Sequence, residues 1–228
     1  CIRDSVYVAE SSIVSLGADS LLDPYKANRE PVTDNSYSVG GLTRGQRYYF
    51  HVRAVKGPDT LEYTLSNPTN EVHTSPVLIG TGTLYEFSSP LGNPSGYDFS
   101  GSRAYFMVHD NANYIDIYLG TTEEDDGAGD LTLKSPHIVQ STHPEWESRI
   151  SYIKSLGTGW DNYNQTADDF STPEYHYERV YTGRVYAIKT PDNHFVKLEV
   201  TGTSGTFPNR TVTFRYAYQE ITGYGHFK

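Results

Sequence analysis

The sequence predicts an all-β protein of two domains, residues 1–76 and 77–228. Along most of the chain, apolar and polar residues alternate within short segments. The alternation is clearest in Tyr48–Val55, where Tyr48, Phe50 and Val52 share one predicted face. A period of two is typical of half-buried strands. The 20 tyrosines favour the same fold class, because tyrosine suits the pleated surface of a sheet. Thr74–Pro76 is expected to link the two domains.

A turn sets the layout of the first domain. Leu42 precedes the turn Thr43–Gly45, and Tyr48 begins the long strand that follows. This is the layout of a tyrosine corner, in which a phenol hydroxyl bonds to backbone a few residues upstream. A short helical turn is expected at Leu16–Leu22. The other strands expected in this domain are Ser5–Ala9, Ser36–Val39, Glu62–Leu65 and Asn70–Thr74.

Three consecutive motifs carry a family likeness. Gly41–Tyr48 has the sequence GLTRGQRY, the strand Tyr49–Val55 follows, and Ser66–Val72 has the sequence SNPTNEV. Together they resemble the second half of a fibronectin type III domain, with Arg44 in place of the usual proline. The resemblance implies a β-sandwich in which Ser5–Ala9 is the family's C strand and Tyr49–Val55 its F strand.

The start of the chain departs from that family. A fibronectin type III domain has A and B strands and a core tryptophan before its C strand, whereas the two tryptophans here are Trp146 and Trp160. The sequence therefore predicts a partial fibronectin type III β-sandwich, and an open sheet of this kind invites pairing with another chain. A strand from a neighbouring copy would complete it, and head-to-tail repetition would build a filament. The expected assembly interface consists of Val6, Val8, Tyr48, Phe50 and Val52.

The net charge and the hydropathy of the chain restrict the classes of partner that it can bind. The formal net charge of −10 argues against nucleic acid and against an anionic membrane surface, because both are bound through basic residues. No apolar run approaches the ~18 residues of a transmembrane helix. The expected partner is a protein, either another copy of the chain or another surface protein.

Cys1 is the only cysteine, so a disulfide within the chain and a multi-cysteine metal site are excluded. Two interpretations of its position remain open. It is either the acylated first residue of a bacterial lipoprotein or an unmodified residue, at a processing boundary or in a strand of a longer chain. The strand that begins almost at once, at Ser5–Ala9, favours the second. The expected location is extracellular or on the outer surface of a bacterium.

The second domain is predicted to be an antiparallel β-rich domain with a short helical insertion. The insertion is Pro144–Ile153, where Trp146, Ile150 and Ile153 follow a helical spacing after an initial proline. A second short helical piece is expected at Asp168–Phe170. The last three strands are expected to form a meander. The predicted strands are Leu84–Phe87, Arg103–Val108, Tyr114–Leu119, Gly183–Thr190, His194–Val200 and Arg210–Tyr218.

The end of this domain carries a second likeness. Val185–Val200 has the sequence VYAIKTPDNHFVKLEV, and Val212–Gln219 has the sequence VTFRYAYQ. Both segments resemble the end of the HmuY-like secreted surface lipoproteins of bacteria, some of which bind haem. The resemblance implies that haem is a candidate cofactor, although histidines in tyrosine-rich strands are usually exposed or satisfied within the core. The candidate haem ligands are His109, His137, His143 and His194.

Three other kinds of site are weighed. The loop Thr121–Asp130 carries five carboxylates, which either hold Ca²⁺ or are simply solvated. Trp146 and Trp160 lie beside carboxylates, as in carbohydrate-binding modules in which aromatic rings stack on sugars. Asn164 and Asn209 begin N-glycosylation sequons. The candidate calcium ligands are Glu123, Asp125, Asp126 and Asp130.

No sequence motif of a known catalytic class is present, so the sequence does not predict an enzyme. It predicts a non-enzymatic structural or interaction protein of the cell surface. Two alternatives are kept, a surface protein that binds haem or another small ligand and a carbohydrate-binding accessory module.

Overall fold

The computed structural model describes residues 3–15, 22–56, 64–67, 70–90, 92–123, 125–139, 144–165 and 175–227. The fold is all-β, with three antiparallel sheets and very little helix. The chain divides into two compact units, Cys1–Pro76 and Val77–Lys228. No helix among the described residues is long and apolar enough to cross a membrane.

One four-stranded sheet forms the first unit. Strand β2 lies at its centre, with β1 antiparallel on one side and with β3 and β4 one after the other on the opposite side. Strands are therefore present within all four of the predicted segments Ser5–Ala9, Tyr49–Val55, Glu62–Leu65 and Asn70–Thr74. A single 3-10 turn covers Asp23–Tyr25. The strands are β1 (Arg3–Ala9), β2 (Tyr48–Lys56), β3 (Thr64–Leu65) and β4 (Val72–Thr74).

The strand expected at Ser36–Val39 is wrong, because these residues are irregular. A strand persists only where a neighbour accepts its backbone hydrogen bonds. Within the described part of this unit, no strand lies beside residues 36–39. The helical turn expected at Leu16–Leu22 lies outside the described residues except for Leu22.

The second unit is a sandwich of two five-stranded antiparallel sheets. The first sheet has the order β10-β12-β13-β14-β5 and contains the predicted meander β12–β13–β14, which is confirmed. The second sheet has the order β11-β9-β8-β6-β7. The strands are β5 (Leu78–Tyr85), β6 (Gly96–Asp98), β7 (Arg103–Tyr105), β8 (Ile117–Thr121), β9 (Leu131–Lys134), β10 (Tyr152–Thr158), β11 (Tyr177–Arg179), β12 (Arg184–Lys189), β13 (Phe195–Ser204) and β14 (Thr211–Gln219).

The main core of this unit lies between its two sheets. Buried aliphatic residues from β8, β9, β12 and β13 surround a cluster of aromatic rings. Tyr97 lies at the centre of that cluster, with ring centroids 5.3 Å from Phe99, 5.0 Å from Phe214 and 5.7 Å from Tyr216. Tilted and edge-to-face arrangements at these distances add attraction beyond burial alone.

The helical insertion is a single turn, α1 (Pro144–Glu147). The ten-residue helix expected over Pro144–Ile153 is wrong beyond Glu147, because β10 begins at Tyr152 and Ile153 pairs with Ile188. Isolated helical turns are weak, and tertiary contacts decide here. The side chain of Arg149 is fixed instead by ion pairs with Asp116 and Asp192.

Candidate interaction face

The sheet of the first unit has two faces of opposite character. Val6 pairs with Val52 and Val8 with Phe50 across β1 and β2, and directly opposed residues point to the same side of a sheet. These four residues form the open face. All four are apolar, and the charged residue Asp4, opposite Ala54, follows them on the same side of the sheet. The sequence placed all four on one face, and the register confirms this.

The opposite face is polar but closed. Ser5 lies opposite Arg53 and Tyr7 opposite His51, and all four are buried. Ile13, Leu22 and Tyr25, from the segment after β1, pack with Tyr7 and cover this side. Glu71 holds the start of that segment, because its carboxylate accepts a hydrogen bond from the backbone N–H of Ile13 at 3.0 Å.

The open face is consequently the more exposed of the two. Along β1, Val6 and Val8 are half-buried, whereas Ser5, Tyr7 and Ala9 are buried. Phe50 and Val52 on β2 are likewise half-buried. This arrangement reverses the usual rule that the apolar side of a sheet is its covered side. A partly exposed apolar surface of this kind is a candidate site of interaction.

Val72 extends the open face onto β4. It pairs with Phe50, so Val8, Phe50 and Val72 form one row across three strands. The side chain of Val72 is 62% exposed. The outer edge of the row is therefore its most accessible part.

Tyr48 lies at the end of the predicted interface but differs from its other members. It is buried, and its phenolic oxygen accepts a hydrogen bond from the backbone N–H of Thr43 at 3.0 Å. The predicted tie between Tyr48 and upstream backbone is present. Tyr48 thus fixes the turn that leads into β2 and offers little surface to a partner.

The two edges of this sheet are not equivalent. The outer edge of β1 is occupied by the segment 26–32. Asp4 and Val32 exchange two backbone hydrogen bonds of 2.8 Å, and the N–H of Ala27 donates to the carbonyl of Val6. The side chain of Asn28 bonds to the backbone of both Asp4 and Val6. A strand from another chain cannot add at β1 without displacing this segment.

The edge formed by β3 and β4 is broken in the middle. Ser66 bridges the gap, since its N–H donates to the carbonyl of Ala54 and its hydroxyl accepts from the N–H of Ala54. Within the described part of the chain, β4 pairs with β2 alone. The outer side of β4 is therefore the candidate edge for the addition of a further strand.

His51 is the least satisfied polar group behind the open face. Neither of its ring nitrogens has a hydrogen-bond partner among the described residues. Its ring packs against that of Tyr7, with the centroids 5.0 Å apart. Burial lowers the pKa of His51, and the neighbouring Arg53 lowers it further. The neutral imidazole is thus the form that this site accommodates.

The structure places the candidate haem ligands in separate surroundings. The two ring nitrogens of His109 contact Asp110 and Glu145. His194 lies near the carbonyl of Gln219 and the hydroxyl of Thr222. His143 lies outside the described residues.

His137 contacts a histidine that the sequence did not single out. The rings of His137 and His176 meet edge to face, with centroids 4.2 Å apart. Nδ1 of His137 lies 2.7 Å from the hydroxyl of Ser135, and Nδ1 of His176 lies 3.2 Å from the carbonyl of Ser151. The pair is anchored at one side of each ring, and nothing in the local sequence signals it. Binding of haem to any of these histidines stays a prediction.

The acidic loop is held together by hydrogen bonds and ion pairs. Asp126 is buried and contacts Lys134 at 2.7 Å, and Asp130 pairs with Arg179 at 3.1 Å. Asp125 accepts from the N–H of Gly127, whereas Glu123 donates its N–H to the hydroxyl of Thr121. Among the described residues, no group of three or more histidine, cysteine or carboxylate side chains is arranged to hold a metal ion. Calcium binding by this loop stays a prediction that a calcium titration tests.

The two tryptophans have different environments. Trp146 is buried in a second hydrophobic cluster, so its ring cannot stack on a sugar. Trp160 is half-buried, and two cations lie over its ring, Lys197 at 4.1 Å and Arg215 at 4.6 Å. Both cations therefore occupy positions beside a ring on which a carbohydrate would stack.

Among the remaining predicted sites, Asn209 is exposed, whereas Asn164 is half-buried and its side-chain oxygen is enclosed. The side-chain nitrogen of Asn164 donates to the carbonyl of Asp161, and the side-chain oxygen of Asn209 accepts from Ser89. Both asparagines lie outside the strands, as the sequence predicts. Cys1 lies outside the described residues.

Comparison with known proteins does not extend these observations. No protein-family model, curated protein or solved structure matches the chain. The resemblances to fibronectin type III domains and to HmuY-like proteins therefore stay predictions. A function has to be inferred from the contacts and exposure of the residues themselves.

Proposed function

We propose that the protein is a non-enzymatic interaction protein of a bacterial cell surface and that its first unit binds a second copy of the chain. The single observation that supports this is the open face, where Val6, Val8, Phe50 and Val52 are more exposed than the polar residues behind them. Covering such a face removes apolar area from water, which is favourable.

Strand addition at β4 is the proposed mode of association. A stable interface buries about 800 Å² on each partner, and four half-buried side chains provide less than this. Backbone hydrogen bonds to β4 would supply further contacts, and a strand added there would also bring side chains over the open face. If each copy donates a strand to the next, the contact repeats and forms a filament.

The net charge of the chain leads to a specific prediction of how this association depends on salt. Each copy carries a net charge of −10, so two copies repel each other at long range. The four residues of the open face are apolar, so their contacts are not weakened when salt is added. Salt screens the repulsion beyond about 10 Å. Association is therefore expected to strengthen as ionic strength rises.

Sedimentation velocity over a range of protein and salt concentrations tests the proposal. The wild type is expected to associate with increasing concentration, and Val72→Asp is expected to remain a monomer, because a carboxylate would be buried at the contact. Ile79→Asp is the matched control, since Ile79 on β5 is 63% exposed and Val72 is 62% exposed. Circular dichroism of both variants checks that they are folded.

Hydrogen exchange locates the contact. Amides in β4 are expected to gain protection as the protein associates, because an added strand would shield this edge of the sheet from water. A wild-type protein that stays monomeric at every concentration would overturn the proposal. So would an equal loss of association in Val72→Asp and Ile79→Asp.

A further inference from the structure

The second unit carries a groove that none of the predicted sites includes. Its volume is about 500 Å³, within the ~300–1,000 Å³ that small-ligand sites occupy. Most of its lining is apolar. The apolar lining residues are Phe87, Pro90, Phe106, Met107 and Val108.

One wall of the groove is a fixed backbone segment. Phe106–Val108 follow β7, which is the last strand of its sheet. The N–H of Val108 donates to the carbonyl of Phe106 at 2.8 Å, and the side chain of Asn111 donates to the same carbonyl at 3.0 Å. These bonds hold Phe106 and Val108 at the surface, where they are 47% and 50% exposed. Two large apolar side chains of the groove are thus held in contact with solvent.

The floor of the groove rests on a packed cluster. Phe87 and Met107 are partly buried against the cluster that contains Tyr118 and Trp146. The rings of Phe87 and Tyr118 meet edge to face, with centroids 5.8 Å apart. A floor supported in this way does not have to reorganise when a ligand binds, which reduces the cost of binding. Met107 supplies a polarisable surface that adapts to aromatic ligands.

Polar side chains form another part of the groove's lining. The lining includes Ser89, Asn93 and Ser95. The side-chain nitrogen of Asn93 donates to the hydroxyl of Ser89 at 2.7 Å, which fixes the amide. Within the part of the chain that the structure describes, the side-chain oxygen of Asn93 accepts no hydrogen bond. It is available to a ligand that carries an N–H or O–H donor.

The lining contains no ionisable side chain. A charged ligand would lose its hydration on entering the groove and gain no opposite charge in return. Anionic ligands are disfavoured further by the net charge of −10. We propose that this groove binds a small, uncharged and mainly apolar ligand that donates a hydrogen bond to Asn93.

A matched pair of fluorescent probes tests the proposal on the intact protein. N-phenyl-naphthylamine is uncharged and carries one N–H donor, whereas anilinonaphthalene sulfonate has the same rings and an added sulfonate. The uncharged probe is expected to bind at least about tenfold more tightly, because the sulfonate would be desolvated without a partner. Energy transfer from Trp146, beneath the floor of the groove, is expected to accompany binding.

Two variants place the probe in the groove. Phe106→Asp is expected to weaken binding of the uncharged probe about tenfold or more, since it puts a charge in the apolar wall. Phe207→Asp is the control, because Phe207 is a phenylalanine of similar exposure, 44%, that does not line the groove. Asn93→Leu is expected to narrow the difference between the uncharged probe and a methylated analogue that has no N–H donor.

The outcomes separate this proposal from self-association through the first unit. Equal binding of the two probes, or equal loss in Phe106→Asp and Phe207→Asp, would overturn it. If Phe106→Asp abolished self-association while the uncharged probe did not bind, the groove would be an interface between copies and the ligand proposal would fail. Loss of association in Val72→Asp with unchanged probe binding leaves both proposals standing.

Discussion

Gly82 on β5 lies directly opposite Phe214 on β14, and a Cβ atom added to Gly82 would come within 2.4 Å of the ring of Phe214. Gly80 stands in the same relation to Tyr216. The two glycines leave space into which the aromatic rings of the neighbouring strand extend. Those rings then pack against Tyr97 in the main core.

Gly82→Ala is expected to destabilise the second unit by about 1–3 kcal/mol, the usual cost of forcing extra volume into a packed core. Urea denaturation followed by tryptophan fluorescence measures this, because both tryptophans lie in the second unit. Gly40→Ala, where a Cβ meets nothing within 4 Å, lies in the first unit and is expected to leave this readout at the wild-type value. Equal unfolding midpoints for the two variants would contradict the prediction.

The same strand shows why sequence patterns fail locally. The alternation at Leu84–Phe87 predicts a strand, but β5 begins at Leu78. Gly80 and Gly82 give no hydrophobic signal, because the apolar groups that fill their places belong to Phe214 and Tyr216. These partners are far away in the sequence, so only the folded chain shows the match.

Tyr48→Phe is expected to destabilise the first unit by about 1 kcal/mol, because the N–H of Thr43 loses its acceptor while the ring stays in place. Hydrogen exchange of the amides in β1 and β2 measures the effect where it arises. Tyr37→Phe is the matched control. Its hydroxyl donates to the carbonyl of Ala27 at 2.8 Å but is exposed, so water can replace that bond at little cost. Equal effects of the two variants would count against the role of the tyrosine corner.

The open face was partly predictable. Period-two alternation was enough to group Val6, Val8, Phe50 and Val52, and the register confirms that grouping. The alternation gave no indication of which face of the sheet is covered by other residues. That depends on Ile13, Leu22 and Tyr25, which follow no strand pattern and fold back over the polar side. The burial of His51 and Arg53 therefore has no signal in their own strand.

The stability of the second unit is expected to fall as pH decreases from about 6.5 towards 4. Burial lowers the pKa of His137 to about 4, and the adjacent His176 contributes to the lowering. The unfolded chain has the ordinary value of about 6.5. The unfolded state therefore binds the proton more tightly, and this contribution to stability is complete above pH 6.5 and lost on acidification.

Denaturation of the wild type and of His137→Gln across this pH range isolates the effect. The wild type is expected to lose stability relative to the variant as the pH falls. The opposite trend is expected for His109→Gln, relative to which the wild type should lose stability as the pH rises. The reason is that hydrogen bonds to Glu145 and Asp110 raise the pKa of His109. The contribution of protonated His109 to folding stability is present at low pH and is lost as the pH rises through the folded-state pKa. Parallel pH profiles for the wild type and His137→Gln would show that His137 does not titrate in this way.

Asp126→Asn is expected to destabilise the second unit by about 3–5 kcal/mol, because it leaves the buried ammonium of Lys134 without a compensating charge. The two side chains are 3% and 8% exposed and contact each other at 2.7 Å. The same carboxylate accepts the backbone N–H of Thr121 at 2.8 Å and the hydroxyl of Tyr118 at 3.3 Å. Asparagine keeps one oxygen for the N–H of Thr121, and its NH₂ group replaces the oxygen that accepts from Tyr118. The hydroxyl of Tyr118 can rotate to accept from that NH₂ group, so the variant changes mainly the charge.

The double variant Asp126→Asn with Lys134→Met separates the charge from the packing. It removes both charges and keeps most of the volume of the lysine stem, so much of the lost stability is expected to return. Urea denaturation of the four proteins in the cycle gives the coupling energy between the two sites. A double variant that is less stable than Asp126→Asn would show that Lys134 stabilises the loop through its contact with the carbonyl of Glu123. In that case the ion pair itself would contribute little.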